Sequence, residues 1–438
     1  MSIDALSAPL VPDAETAGEW LYARVAEWYP IARSITGGGL RETLRRIGDH
    51  IPLTVREIPT GTQVFDWTIP REWNVREAWI KTPSGERIAD FAQHNLHVLG
   101  YSTPVHETMP LEKLREHVFT LPDKPDWVPY RNSYYKENWG FCMAHRQLET
   151  LQPGEYEVYI DSTLEDGSLT YGECYLPGDR EEEFFFSAHA CHPSLANDNL
   201  SGLAIATWLA RALHGRPHRY SYRFVFAPGT IGAIAWLAKN EAGAQIIRHG
   251  LVLACLGDPG HSAYKQSRRG ETEVDHAAQY VLEQSGQQHE VFPFTPYGYD
   301  ERQYCSPGFD LPVGCFMRTP PGCYPEYHSS ADNLDLVRPD CLADSAAKLA
   351  AVIAVIEGNG RYRNLNPKCE PQLGKRGLYG AIGGRTDTKA LEMAMLWVLN
   401  YSDGQNSLLD IARRSSYPFG QIHRAAIALE EAGLLAHA

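Results

Sequence analysis

No run of apolar residues in this 438-residue chain approaches the roughly 18 needed to cross a bilayer. The opening Met1-Ser2-Ile3-Asp4-Ala5-Leu6-Ser7 has neither a basic stretch nor an apolar core behind it. A soluble, cytoplasmic protein with no membrane partner is therefore expected. The nine cysteines (Cys142, Cys174, Cys191, Cys255, Cys305, Cys315, Cys323, Cys341 and Cys369) form no CxxC pair, which argues against a zinc ribbon and for free thiols in a reducing compartment. A P-loop, a GxGxxG after a strand and a GxSxG elbow are all missing; Ser201 precedes Gly202 but falls inside a predicted helix. Positive charge is short as well. Forty Lys and Arg stand against 54 Asp and Glu, a net charge of −14, which disfavours nucleic acid and anionic membranes as partners.

Aromatics are plentiful, with 23 Tyr and 10 Trp, and only 21% of residues are charged, so the chain should fold. Its length calls for two or three domains. Trp20, Leu21, Val25, Trp28 and Tyr29 repeat on a helical period, and Leu40, Leu44 and Ile47 mark a second helix. From Val64 to Glu149 short alternating runs among Pro and Gly predict an inserted β-rich domain, residues 64–149. Residues 1–63 and 150–368 then form one discontinuous α/β domain. In its second part, strands over Tyr156–Ile160, Glu183–Ala188, Tyr222–Ala227 and Leu251–Leu256 alternate with helices over Asn199–Leu213, Thr230–Asn240 and Cys341–Ile356. That alternation predicts a mainly parallel sheet with helices on both faces, whose ligands lie beyond the carboxyl ends of the strands.

Residues 369–438 predict a third, winged-helix module: helices over Asp387–Leu399, Ser407–Ala412 and Gln421–Glu431, then a turn at Gly433. Between Asp387 and the end, four basic residues face six acidic ones, a poor match for phosphate, so protein contact is the expected role.

Chemistry concentrates at the predicted strand ends. His189 closes one apolar strand, Asp198 follows nine residues later, Asp258 follows another strand, and His328 lies in Pro325-Glu326-Tyr327-His328-Ser329. Two imidazoles and two carboxylates suit zinc with one position left for water. Each has an ordinary reading too: a hydrogen-bonded core histidine, Asp198 as a helix N-cap, Asp258 as a turn residue before Pro259. His192, placed before Pro193, is left out of the metal shell. The loop from Tyr297 to Ser306 supplies Asp300 for a substrate amine, Arg302 for an acid, and Tyr304; Glu326 joins them as a candidate substrate-binding residue.

His189, Asn197-Asp198-Asn199-Leu200-Ser201-Gly202, Gly257-Asp258 and Tyr327-His328 before Asp332 arrive in an order that resembles the M28-type zinc aminopeptidases. The resemblance is nearer to their cytoplasmic aminopeptidase-like branch, which has a β-rich insertion and a C-terminal winged helix. It implies that Asp198 bridges two metals, with His189 and Asp258 on one and His328 on the other. It also implies two adjacent glutamates after the next strand, a general base and a metal ligand. Aligned on Gly232, those places hold Gly229 and Thr230. The resemblance thus implies one zinc held firmly and a second held poorly, with no catalytic residue identified for the base. A positioned base contributes about 10²- to 10⁴-fold, so an impaired or inactivated hydrolase is expected unless Glu301 or Glu326 substitutes. A Gly229→Glu exchange divides the readings: a rise of about two orders of magnitude in amide hydrolysis marks an inactivated peptidase, and none with metal bound favours a binding protein.

Three functions follow. The first is a zinc-dependent aminopeptidase-like hydrolase of amide bonds in small peptides or aminoacyl conjugates, suited to a biosynthetic pathway and compatible with a homo-oligomer. The second is a catalytically silent metal-binding or scaffold protein. The third is a deacylase using the same zinc-bound water.

Overall fold

The computed structural model describes residues 9–378 and 386–438, so the reading of Met1 to Ser7 lies outside the described residues. The chain divides into two compact units. The larger comprises residues 13–272 and 288–346 and carries the predicted chemistry. Its frame is an eight-stranded sheet with strands β1 (Thr54–Pro59), β2 (Ser168–Leu176), β3 (Glu183–His189), β4 (Ser221–Ala227), β5 (Ile247–Leu253), β6 (Ser262–Lys265), β7 (His289–Phe292) and β8 (Val313–Met317). The spatial order is β1-β2-β4-β3-β5-β8-β6-β7. The central strands β4, β3, β5 and β8 pair in parallel, while β1, β2 and β6 pair antiparallel to their inner neighbours. The sheet is therefore mixed and mostly parallel.

Continuous apolar character in β3 reflects burial on both faces. Phe184 and Phe186 stack with Tyr222 and Phe224 of β4 on one side, while Phe185 packs against Trp236 and Tyr304 on the other. Alternate side chains of a strand point to opposite faces, so three consecutive phenylalanines serve two cores. Helix α1 (Ala14–Trp28) starts at Asp13, whose carboxylate accepts the Thr16 N–H, and buries Leu21, Val25 and Trp28.

Two expectations change here. The helix predicted from Asn199 begins at Gly202, as α2 (Gly202–Leu213), because Asp198 and Asn199 leave helical geometry at φ −106° and −140°. Asp198 is consequently not an N-cap. The strand around Tyr156–Ile160 extends over Glu155–Glu165 and pairs with Glu72–Lys81 and Val105–Pro110 in a separate four-stranded sheet. The inserted sheet therefore reaches past residue 149, and the chain rejoins the central sheet at Ser168. Strand Thr54–Pro59 and the short strands β6 to β8 escape periodicity, being too brief or too exposed to show a pattern.

The smaller described unit includes residues 273–287 and 347–438, among them the end of helix α3 (Pro339–Gly358). Its helices over Thr386–Tyr401, Leu408–Ser415 and Phe419–Glu431 match the three predicted. A three-stranded sheet of Asp403–Ser407, Arg361–Asn364 and Leu435–His437 completes the winged helix. Arg361–Asn364 belongs to it, so this module starts ahead of residue 369.

Candidate metal centre

His189 is the last residue of β3, in register with Ala227 of β4, which places its ring at the carboxyl edge of the sheet. The following turn, Ala196–Ser201, is tied to the loop after β5. Asn199 Nδ2 donates to the Leu253 carbonyl (2.8 Å) while its Oδ1 accepts the Cys255 N–H (3.2 Å). Asn197 Oδ1 accepts the Gly257 N–H (2.9 Å), and Ser201 Oγ accepts that of Leu256 (2.9 Å). A side chain at Gly202 would come 2.6 Å from the Leu253 carbonyl oxygen, so glycine permits this close approach. Asp332 holds the turn from the other side, accepting the N–H groups of Asn197 (2.6 Å) and Asp198 (3.0 Å). Sequence reading placed Asp332 in the motif and gave it no role. The only hint was its position in the polar run after His328.

Three imidazoles surround the buried Asp198 carboxylate. His189 Nε2 lies 2.7 Å from Oδ1, His328 Nε2 3.1 Å from Oδ2, and His192 Nε2 4.0 Å from Oδ2. His328 reaches the site from a left-handed backbone (φ 54°) and stacks on Tyr327. Burial depresses the basicity of His189 and pushes His192 down to about 3, despite Asp198 nearby. Burial alone would raise Asp198, but the facing histidines outweigh it and hold the carboxyl well below its usual range. His189 and His192 are thus neutral imidazoles beside a carboxylate, the protonation state a cation requires of those ligands. The donor set fits zinc: His189, His192 and Asp198 can offer atoms within 4.8 Å of one another, with His328 beside them.

His192 thus enters the cluster that sequence reading denied it; position before proline says nothing about where the ring points. Asp258 is not brought into it. Its Oδ1 accepts from Gly260 N–H (2.8 Å) and Thr319 hydroxyl (2.6 Å), and its Oδ2 from Asn197 Nδ2 (3.0 Å), so both oxygens serve the protein.

The expected base position is filled by a different residue. A Cβ at Gly229 would lie 2.6 Å from the Tyr299 hydroxyl and 2.7 Å from its Cζ. The Tyr299 ring stacks on His189, centroids 3.7 Å apart. Glu301 holds Tyr299 there, accepting its N–H at 3.1 Å while pairing with Lys265 Nζ at 2.6 Å in a nearly buried ion pair. Glu301 is thus already engaged by Lys265 and the Tyr299 backbone.

The other predicted substrate residues separate. Asp300 is buried, and neither carboxylate oxygen finds a hydrogen-bond partner among the described residues. Burial raises it well above the ordinary carboxylate range. Arg302 is half-buried, and its Nε has no partner among the described residues. Tyr304 is a core residue: fully buried, hydrogen-bonded to Ser187 Oγ (2.9 Å), and packed against Phe185, so it is unavailable to substrate. Glu326 is half-buried, two residues before His328.

Residues 22–359 match the family described as a domain of unknown function, DUF4910, and residues 360–437 match a winged helix-turn-helix. A relative from Clostridium acetobutylicum, described as "Putative polysaccharide biosynthesis protein with aminopeptidase-like domain", is 51% identical over 96% of this chain and 97% of its own. A solved structure from the same organism, titled as a "putative peptidase", is 48% identical with a TM-score of 0.93, covering 98% of both chains. BSAP, a zinc aminopeptidase from Bacillus subtilis, is 13% identical and shares the fold at a TM-score of 0.57, over 77% of this chain and 94% of its own.

Proposed function

Because this chain belongs to the DUF4910 family, joined to a winged helix on an M28-type aminopeptidase-like fold, we propose that it is a zinc-dependent hydrolase of amide bonds in small peptides or aminoacyl conjugates. The observation carrying this reading is the convergence of His189, His192 and His328 on the Asp198 carboxylate at the carboxyl edge of the sheet. Zinc bound there would polarise the scissile carbonyl and lower the pKa of a water. Asp198, His189, His192 and His328 are the residues that would hold it, and Asp332 fixes the Asp198 backbone. Asp300, buried and without a hydrogen-bond partner among the described residues, is the group that would receive the substrate's amine. The relative's description supports placing the reaction in a biosynthetic pathway. No carboxylate base stands at position 229, so turnover is slow. A cytoplasmic setting and a homo-oligomer remain part of the proposal, and no helix among the described residues is long and apolar enough to cross a membrane.

The Tyr299 ring in the base position favours a second reading, a catalytically silent metal-binding protein. One experiment separates them. Purified full chain is loaded with zinc, analysed for metal, and assayed on aminoacyl anilides beside Asp198→Asn. The hydrolase reading expects bound zinc and slow hydrolysis, both lost in the variant. Zinc without hydrolysis leaves the silent reading, and absence of zinc uptake sinks both.

A further inference from the structure

Three of the four groups in the cluster have a backbone tie already described or close at hand. His189 ends the paired strand β3, the Asp198 N–H is held by Asp332, and the His192 carbonyl accepts from Arg33 Nε (2.8 Å), a guanidinium that is 2% exposed with no acidic partner among the described residues. His328 differs. It sits on an irregular loop in the left-handed region, and its side chain is 35% exposed where those of His189, His192 and Asp198 are 6% or less. A non-glycine residue stays in that conformation only where surrounding contacts impose it.

Those contacts come from the segment between β1 and β2. Pro129 lies opposite Ser329 in an antiparallel bridge. On either side of it, Tyr130 N–H donates to the His328 carbonyl (2.8 Å) and Ser330 N–H to the Val128 carbonyl (2.8 Å), while Ser330 Oγ accepts from Val128 N–H (2.9 Å). Lys124 adds a bond from Nζ to the Pro325 carbonyl. The buried Tyr130 ring stands edge-to-face against two imidazoles, with centroids 5.0 Å from His192 and 5.1 Å from His328, and Tyr327 stacks on the His328 ring at 3.9 Å. Tyr130 also clusters with Leu96 and Leu195, and Leu195 leads directly into the turn that carries Asp198. Its hydroxyl bonds that of Tyr134 (2.5 Å), which fixes the ring from its far end.

We propose that Val128, Pro129 and Tyr130 form a strap belonging to the metal centre, with Tyr130 as the positioning residue that holds His328 and His192 for the ion. The strap's hydrogen bonds keep the His328 backbone in its left-handed conformation, and the ring restricts the rotation of both imidazoles. Outer contacts of this kind orient the ligands, and their loss costs about 10- to 100-fold in metal affinity. This rests on reading the cluster as a zinc site.

The test is the zinc affinity of the purified full chain, measured by competition with a chromophoric chelator, which does not depend on hydrolysis. Tyr130→Ala should weaken binding about tenfold or more. Tyr130→Phe, which keeps the ring, should bind zinc as the parent chain does. Cobalt(II) in place of zinc should show altered visible bands in Tyr130→Ala and parental bands in Tyr130→Phe, because those bands follow the number and geometry of the ligands. In a His328→Ala background the loss caused by Tyr130→Ala should shrink, since one of the two rings it holds is gone. Tyr130→Ala opens a buried space, so Ser330→Ala serves as the second variant. It removes only the hydroxyl that accepts from Val128, and it should weaken zinc binding when His328 is present and not when His328 is alanine. Zinc affinity and cobalt bands unchanged in both variants overturn the proposal, as does a loss undiminished without His328, which marks general loosening of the fold. Absence of zinc uptake by the parent chain sinks the metal reading and the strap with it. The expected pattern of zinc affinities in a chain that hydrolyses no amide would sink the hydrolase reading and leave the strap standing.

Discussion

A side chain at position 229 would share its space with the Tyr299 ring, so Gly229→Glu alone does not divide an inactivated peptidase from a silent binder. The single exchange should lower the melting temperature and leave hydrolysis unimproved. Gly229→Glu with Tyr299→Ala opens the space, and aminoacyl anilide turnover should then rise about 10²-fold, the lower range for a positioned base. Asp300 offers a second residue-scale prediction. Its folded pKa is raised, so its contribution is fully present at low pH and is lost as pH rises through the folded value. Asp300→Asn should flatten that loss in melting temperature against pH. It should also raise KM for aminoacyl substrates about tenfold or more. An isosteric exchange that left KM untouched would remove Asp300 from substrate binding. These residues were legible unequally. Asp300 could be named from its loop, but its lack of a hydrogen-bond partner among the described residues depends on what folds around it.

Strand β5 carries His249 into the sheet between the rings of Phe184 and Tyr220, and neither ring nitrogen has a partner among the described residues. Burial lowers it from 6.5 to about 3, with Arg219 and Arg248 adding to the effect. The unfolded chain therefore binds the proton first, and stability falls as pH drops from 6.5 toward 3. The slope is at most about 1.4 kcal/mol per pH unit. His249→Phe should reduce the pH dependence of the urea midpoint across that window; an unchanged slope would show that other groups dominate acid unfolding. At this scale the main strands were readable, since Phe184 to Phe186 and Tyr222 to Ala227 are continuous apolar runs. The turn after them was not: the helix seen as starting at Asn199 starts at Gly202, because the distant Asp332 carboxylate takes the backbone N–H groups of Asn197 and Asp198 while the Asn199 and Ser201 side chains accept those of Cys255 and Leu256. The surroundings of Asp258 were hidden for the same reason, its oxygens being engaged by Asn197 and Thr319.

The smaller unit joins the winged helix to earlier segments of the chain. Tyr280 Oη accepts the N–H of the buried Phe419 (2.7 Å). Asn359 Oδ1 accepts that of Leu409 (2.9 Å), and its Nδ2 donates to Glu273 (2.6 Å). A chain ended after Asn359, near the boundary between the two matched families, would expose the partners of these contacts. It should melt lower than the full chain or aggregate, as expected when aromatic surface worth a few kcal/mol per ring is uncovered. Equal melting would make the winged helix a separable module, as its sequence pattern alone suggested.

Sequence by itself determined the alternation of strands and helices, the order of His189, Asp198 and His328, the three C-terminal helices, and the want of a carboxylate at position 229. These depend on local periodicity and residue identity, which no distant contact alters. Only the tertiary structure decided that His192 joins Asp198, that Asp258 is occupied elsewhere, that Tyr299 fills the base position, and that Arg33 is buried with no counter-ion among the described residues. Each of those depends on which groups meet across long stretches of chain, and a side chain's hydrogen-bond partners are set by that packing, not by its neighbours in sequence.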